Sequence, residues 1–318
     1  ESTISIRILI PRQRRKAAVD AFDKGLEEYN KGSLDHYRKA VAHFGNALRE
    51  DPKYSQAALY LARSYNALYE NQSAKEFYQR AIEIDPDYLE ARASYGGMLL
   101  DLGDLDESIR QLNTVVQRDA KNALAWTLLA QALCRKELYK DSIEAAGKSI
   151  KLNPYNADTH LWLGESLRLS RDYSGSIAAY NEYLSRSDYD SKLAGQLNYY
   201  VLGFLTGMGK KKRANLRDIW QEMRSIAHLG ICDSQRKLSE FDAAIENCRQ
   251  ALRYTPDDAF VHYALGLAYI RKAQQTGSLE TLAASRKHFR AMLDLNADLE
   301  EAVYAKQNLL AIDAALAK

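Results

Sequence analysis

The sequence predicts an all-α fold of stacked helix pairs, and two observations support this prediction. Four of the five prolines, Pro52, Pro86, Pro154 and Pro256, are separated by 34, 68 and 102 residues, which are multiples of 34. The same order of small and large apolar residues precedes or follows each of them. A fixed period of this length is typical of repeated helix–turn–helix units, because one unit cannot bury its apolar face without a neighbour.

The residues around the prolines occupy equivalent positions in each unit. They are Leu61, Ala62, Tyr65, Ala74, Tyr78 and Ala81 in "ALYLARSYNALYENQSAKEFYQRAIEIDPDY", Trp126, Leu129, Ala130 and Leu133 in "WTLLAQAL", and His262, Leu265, Gly266 and Tyr269 in "HYALGLAY". Small residues let two helices approach closely, and large residues fill the groove against the next pair. This pattern resembles the tetratricopeptide repeat (TPR) family across nearly all of residues 17–318.

The resemblance implies a right-handed α-solenoid of about eight repeats, preceded by a short extended segment and closed by a helix. We place the extended segment at 1–15, the array at 16–297 and an amphipathic capping helix at 298–318. The predicted repeats are 17–54, 55–88, 89–122, 123–156, 157–190, 191–224, 225–258 and 259–297.

Three repeats depart from the pattern. The first has about three extra residues in "KGSLDHYRKA" and the eighth about seven around "QQTGSLETLA". We expect these insertions to form loops. In the sixth repeat the Leu-Gly pair shifts to Leu202 and Gly203, which implies a longer first helix, a basic turn and a shorter second helix.

Composition limits the classes of function. The chain of 318 residues is 46% hydrophobic and 27% charged, so it is able to fold, and its net charge of +2 favours no nucleic-acid partner. No stretch approaches the roughly 20 apolar residues of a membrane helix, so we expect no membrane span.

The first eleven residues, "ESTISIRILIP", alternate with period two and are typical of a β-strand. We expect this segment to be the last strand of an upstream β-domain, or an arm that pairs with another chain. The arrangement resembles bacterial extracytoplasmic proteins in which a β-sandwich precedes TPR repeats, which favours an envelope or secreted location over a cytoplasmic one.

Few residues suggest chemistry. We interpret His160, His228 and His262 as packed imidazoles, and we expect no metal site at His36 and His43. Cys232 and Cys248 are expected to face each other in the seventh repeat. We favour two buried free thiols, with a disulfide between them as the alternative. "GKKKRA" at 209–214 fits a solvated turn better than an anion site. No phosphate loop, nucleophile elbow or metal motif occurs, so we predict no enzyme and no cofactor.

Function is therefore expected at a surface. In the TPR family the first helix of each repeat lines a concave groove, mainly through positions 2, 5, 6, 9, 12 and 13. Transferring that pattern to this sequence predicts a groove containing Tyr60, Arg63, Asn66, Gln131, Arg135, Trp162, Glu165, Arg168, Tyr200, Phe204 and Tyr263, with Met208 and Ile270 nearby. Aromatic and arginine residues are frequent hot spots at interfaces.

The family's carboxylate clamp needs a basic residue at position 5 and Asn at position 9. The corresponding pairs here are Leu59/Arg63, Thr127/Gln131, Leu161/Glu165 and Leu229/Asp233, so none of them matches. We therefore predict a non-catalytic scaffold that binds a protein or peptide in the groove. The alternatives are a subunit that self-assembles, including as a homo-oligomer, and the recruiting arm of a longer enzyme.

Overall fold

A computed structural model describes residues 15–187 and 216–317, and all of its regular structure is α-helical. The all-α helical-repeat class predicted from the sequence is confirmed. The described residues form fifteen helices: α1 (Lys16–Asn30), α2 (Leu34–Glu50), α3 (Ser55–Ala67), α4 (Asn71–Ile84), α5 (Leu89–Leu102), α6 (Leu105–Arg118), α7 (Ala123–Arg135), α8 (Tyr139–Leu152), α9 (Ala157–Leu169), α10 (Tyr173–Arg186), α11 (Leu216–Lys237), α12 (Phe241–Tyr254), α13 (Ala259–Thr276), α14 (Leu279–Leu295) and α15 (Ala302–Leu316).

The chain forms two compact units, of which the first ends at Met98. In this unit α1 packs on α2, α2 on α3, and α3 on α4. Its core contains the rings of Phe22, Phe44 and Tyr54. The Phe44 ring lies against α1 at Gly25, where a Cβ atom would come within 2.5 Å of it. The glycine therefore permits the close helix approach that small residues were predicted to provide.

The second unit runs from Leu99 to Lys318. Each of its helices from α6 to α15 packs on the next, and α7, α9, α11 and α13 also contact one another in that order. These four are the first helices of their pairs, so they form one continuous layer. Leu161, Tyr180 and Ile231 belong to a buried cluster that joins α9, α10 and α11.

The 34-residue period extends to single backbone conformations. The turn between the two helices of a pair contains one residue in the left-handed region at Tyr69, Gly103, Glu137, Arg171 and Ser239, all at the same repeat position. Their φ angles lie between 62° and 81°. Only one of the five is glycine, although left-handed backbone is costly for other residues. The turn geometry is thus imposed by the packing of the two helices.

The boundary predicted between the sixth and seventh repeats is wrong. Helix α11 runs without a break through residues 224 and 225, and it packs directly on α9 and α10. The Trp220 Nε1–H donates to the Ser187 carbonyl at 2.5 Å, and Arg224 donates to the Leu184 carbonyl at 3.1 Å. Residues 216–224 therefore lengthen the first helix of the next pair. The rest of the sixth repeat lies outside the described residues.

The extra residues of the first and eighth repeats lengthen helices instead of forming loops. Helices α13 and α14 have 18 and 17 residues, whereas α3 and α4 have 13 and 14. Gly277, with φ of 69°, ends α13, and the Ser278 side chain caps α14. Helices α1 and α2 are longer in the same way, with 15 and 17 residues. Added helical turns bury more apolar surface than an exposed loop does.

The helix predicted at 298–318 is present as α15, but it is not amphipathic. It buries Ala302, Ala305 and Ile312, and it also exposes Val303, Tyr304 and Leu310 to solvent. Lys306 and Gln307 are exposed beside them, so the solvent-facing side of α15 mixes apolar and polar residues.

The strand predicted in residues 1–14 lies outside the described residues. No helix in the described part of the chain is long and apolar enough to cross a membrane.

Candidate binding surface on the first helices

In the first unit, the predicted groove residues lie on α3, and two of them take part in packing. The Tyr60 ring is half-buried, with centroids 5.7 Å from the Phe22 ring and 5.6 Å from the Phe44 ring. Arg63 is only 7% exposed, and its guanidinium pairs with the Glu90 carboxylate at 2.8 Å.

Arg63 also donates to Ser94 Oγ at 2.8 Å, so its guanidinium joins α3 to α5. The exposure expected for Arg63 was wrong, because the ion pair with the exposed Glu90 and the hydrogen bond to Ser94 hold the guanidinium between α3 and α5. Asn66 is half-buried on the same helix.

Helix α7 carries two of the predicted groove residues, of which one is buried and the other is exposed to solvent. Gln131 is 2% exposed, which corrects its expected place on the surface. Arg135 is exposed, and its Nη1 donates to the Leu100 carbonyl oxygen at 2.6 Å. Burial raises the pKa of the neighbouring Asp101 to about 8, although the charge of Arg135 opposes that rise. The guanidinium of Arg135 is therefore the positive charge that α7 presents to solvent.

Helices α9 and α11 share a network of charged side chains. Arg168 forms two hydrogen bonds with Glu165, from Nε at 3.1 Å and from Nη2 at 2.6 Å. Its Nη1 donates to Asp233 at 3.0 Å, and Asp233 also accepts from Arg236. Burial favours a higher pKa for Asp233, but the two arginines hold that pKa below its usual range. Two arginines balance two carboxylates, so the network is close to neutral.

Tyr180 reaches this network from α10. Its ring is fully buried and lies between Gly164 of α9 and Gly230 of α11. Its hydroxyl donates to Glu165. Burial and the Glu165 charge raise the pKa of Tyr180 well above its usual value, so the phenol stays protonated.

The sequence contained a signal for this network that was missed. Glu165 and Arg168 are three residues apart on α9, and Asp233 and Arg236 repeat that spacing on α11, exactly two periods later in number. Residues three apart on a helix lie on the same face. An acid-x-x-Arg pair at one repeat position thus indicates neighbouring ion pairs, a signal that the comparison of Asp233 with the carboxylate clamp does not use.

Three aromatic members of the predicted groove lie among the described residues, and all three are half-buried: Tyr60, Trp162 and Tyr263. Trp162 on α9 is partly exposed, but its indole Nε1 is buried and has no hydrogen-bond acceptor in the described part of the protein. Tyr263 on α13 is partly exposed, with its ring 5.9 Å from that of Phe289. Tyr200, Phe204, Met208 and the "GKKKRA" turn lie outside the described residues.

The histidines pack as predicted. His160 lies against the Pro154 carbonyl oxygen, with Nε2 at 3.3 Å, and the His228 ring stacks on Tyr254. The His262 and His288 Nδ1 atoms are 3.0 Å apart. Within 15–187 and 216–317, no three metal-binding side chains converge.

The favoured interpretation of Cys232 and Cys248 as free thiols was wrong. The two residues form a disulfide between α11 and α12, with Cα atoms 5.4 Å apart. Both are fully buried. Cys134 on α7 is a buried free thiol. Disulfides persist mainly in oxidising compartments.

Comparison with known protein families assigns most of these helices to one repeat type. A family profile described as "Tetratricopeptide repeat" matches residues 67–132, and another with that description matches 22–88 and 135–191. A profile described as "TPR repeat" matches 233–272.

Relatives are distant and mostly longer. "Tetratricopeptide repeat protein 37" of Xenopus laevis is 25% identical over 69% of this chain and 15% of its own length. "TPR repeat-containing protein YpiA" of Bacillus subtilis is 20% identical over 80% of this chain and 52% of its own. The chain therefore spans at most about half of either relative.

The fold has solved counterparts. One chain of the APC/C hetero-tetramer Cut9–Hcn1 matches with a TM-score of 0.62 and 16% identity, over 93% of this chain and 52% of the other. At this identity the likeness concerns the fold alone.

Proposed function

Because the chain is a member of the tetratricopeptide repeat family, a family of protein-interaction and assembly scaffolds, we propose that it binds a segment of another protein on the first-helix layer of its second unit. The binding surface consists of the solvent-facing parts of α7, α9 and α13, with Arg135, Trp162 and Tyr263 as contacts. The function is scaffolding without catalysis.

One observation carries the proposal: α7 and α9 present an arginine and a tryptophan on adjacent helices of one layer. Arg135 is exposed and has no carboxylate bonded to it in the described structure. The Trp162 side chain is partly exposed although its indole Nε1 is buried, so a bound segment would contact the face and edge of the ring that reach solvent. Arg and Trp are the side chains that most often dominate binding energy at interfaces.

The α9–α11 network supports this surface without serving as the contact itself. Glu165 and Arg168 satisfy each other and Asp233, and a side chain already held in two ion pairs gains little from a ligand. The network fixes the orientation of α9, which carries Trp162. We therefore assign Glu165 and Arg168 a positioning role.

The proposal is tested by selecting peptides from a displayed random library on the purified chain. Affinity of the selected peptides is then measured by fluorescence anisotropy for the wild type, Arg135→Ala and Trp162→Ala. Each substitution is expected to weaken binding about tenfold or more, because loss of a hot-spot contact costs about 1–2 kcal/mol or more.

Lys140→Ala on α8 is the matched control, because Lys140 is exposed on a second helix. Its affinity is expected to equal that of the wild type. Selected peptides that bind both surface variants and the wild type equally would rule out this surface as the binding site.

A further inference from the structure

Two half-buried histidines meet between α13 and α14 in the second unit. His262 lies near the start of α13 and His288 lies in α14, and their Nδ1 atoms are 3.0 Å apart, which is a hydrogen-bond distance. The two rings are stacked, with centroids 5.2 Å apart. The His288 ring also stacks on Tyr269 of α13, with centroids 5.6 Å apart. Two titratable rings therefore join the two helices of this pair.

The hydrogen-bond partners of these rings determine which nitrogen atoms carry protons. His262 Nε2 lies 3.3 Å from the Pro256 carbonyl oxygen, which can only accept, so this Nε2 carries a hydrogen. A neutral imidazole has a single N–H, so His262 Nδ1 accepts and His288 Nδ1 donates. The bond between the rings needs one unprotonated Nδ1. The pair is thus able to take up one proton and keep this bond, but not two.

The surroundings of His288 disfavour a positive charge. Burial is the main cause, and the charges of His262, Lys287 and Arg249 act in the same direction, so the pKa of His288 is lowered to about 4. Arg249 extends from α12 and donates to the Tyr269 hydroxyl at 2.6 Å. The charged groups that face His288 from α12, α13 and α14 are therefore all cations.

Neighbouring carboxylates are engaged elsewhere. Asp258, at the N-cap of α13, accepts from the backbone N–H groups of Phe260 and Val261. Asp313 of α15, the helix that packs on α14, forms an ion pair with Arg286 at 2.6 Å. Within residues 15–187 and 216–317, neither imidazole is hydrogen-bonded to a carboxylate. A second added proton would therefore place two positive charges in contact without a counter-charge.

The histidine contact lies beside the closest approach of α13 to α14. Phe289, which follows His288 in the chain, is fully buried against Gly266 of α13, where a Cβ atom would come within 2.8 Å of the ring. The buried Ser285 hydroxyl donates to the Gly266 carbonyl oxygen at 2.8 Å. Repulsion between the two imidazoles would therefore act directly on the packing of the two helices.

From this geometry we propose that His262 and His288 form an acid-sensitive switch, which loosens α14 from α13 when both imidazoles are protonated. In the unfolded chain each imidazole takes up a proton near pH ~6.5, whereas the folded pair keeps its hydrogen bond with at most one added proton. The unfolded state therefore binds more protons, so stability falls as the pH drops from about 6.5 towards about 4. The inference is independent of the proposed peptide-binding surface.

The protonation states are tested by NMR of the full chain with isotope-labelled histidine. At a pH of about 7.5 we expect the proton of His262 on Nε2 and that of His288 on Nδ1. We also expect His288 to titrate below a pH of about 5, since it is buried among cations. A His288 that carries its proton on Nε2, or that titrates near pH ~6.5, overturns the proposal.

The loosening is tested by amide hydrogen exchange of the full chain at a pH of about 7.5 and of about 5, with rates corrected for the intrinsic effect of pH. In the wild type, α13 and α14 are expected to lose protection about tenfold or more at the lower pH, while α3 and α4 serve as the internal reference. His288→Gln removes one titrating ring. Its protection in α13 and α14 is expected to be nearly the same at both pH values.

His262→Gln is a second variant that removes the other ring, and the same result is expected. His43→Gln is the matched control, because His43 is half-buried on α2 and lies outside this contact. It is expected to lose protection in acid as the wild type does. A wild type without this loss overturns the proposal, and so does a loss of equal size in the wild type and both variants.

Discussion

At the scale of single residues, glycine at first-helix positions determines how closely the helices approach. Gly164 and Gly230 flank the buried Tyr180 ring, and a Cβ atom on Gly230 would lie 2.4 Å from two atoms of that ring. The Tyr180 hydroxyl also donates a hydrogen bond to Glu165. Because the side chain is fully buried, the ring is surrounded by other atoms on all sides. In contrast, a Cβ atom on Gly147 of α8 would meet nothing within 4 Å.

We therefore predict opposite effects for the same substitution. Gly230→Ala is expected to lower the free energy of unfolding by about 1–3 kcal/mol, because it overpacks the α9–α11 contact. Gly147→Ala is expected to raise it by about 0.5–1 kcal/mol, since alanine favours a helix. Unfolding in denaturant measures the free energy of unfolding of both variants. Equal effects of the two substitutions would show that the Tyr180 ring yields to an added methyl group.

At the scale of the element, the helix–helix turn relies on a left-handed residue that the sequence seldom marks. Glu137 occupies this position after α7, and Gly103 occupies it after α5. A Cβ atom on Gly103 would meet nothing within 4 Å, so only backbone strain opposes a side chain there. The left-handed conformation costs an ordinary residue roughly 1–2 kcal/mol.

Glu137→Gly is accordingly expected to raise the thermal midpoint, with a gain below about 1 kcal/mol because glycine also loosens the unfolded chain. Glu144→Gly, the same change inside α8, is the control and is expected to lower stability by about 1 kcal/mol. Scanning calorimetry compares the two variants. A destabilising Glu137→Gly would mean that the side chain contributes more than the backbone strain costs.

At the scale of the whole molecule, we expect a destabilising change to affect only the repeat that carries it and the adjacent repeats. The reason is that each repeat contacts only its neighbours. The disulfide between Cys232 and Cys248 lies entirely in the second unit, where it joins α11 to α12. Closing a loop of about 15 residues stabilises a fold by about 3 kcal/mol. The first unit has its own aromatic core and no part in this bridge.

Replacing both bridged cysteines by alanine is expected to reduce amide hydrogen-exchange protection in α11, α12 and their neighbours. Protection of α1 to α4 is expected to stay unchanged. Cys134→Ala, which removes a thiol but keeps the bridge, is the control. Mass spectrometry of peptic fragments measures the exchange. A uniform loss of protection across both units would contradict local stability.

The fold class was predictable because it depends on a period that repeats along the chain. Prolines at multiples of 34 and recurring small residues determine where helices end and how closely they pack, and these are local properties. The position of the boundary between the sixth and seventh repeats was not predictable. Helix α11 begins before that boundary, and its residues Trp220 and Arg224 donate hydrogen bonds to carbonyl groups at the end of α10, which are contacts between residues distant in sequence.

The sequence by itself thus determined the helix pairs, their period and the helices that bear the candidate surface. Tertiary structure decided which side chains of that surface reach solvent. Arg63 and Arg135 belong to the same chemical type, yet Arg63 is buried by Glu90 and Ser94 while Arg135 remains exposed. It also decided that Val303, Tyr304 and Leu310 of α15 are exposed. A residue's position on a helix follows from the local period, whereas its exposure depends on which distant side chains pack against it.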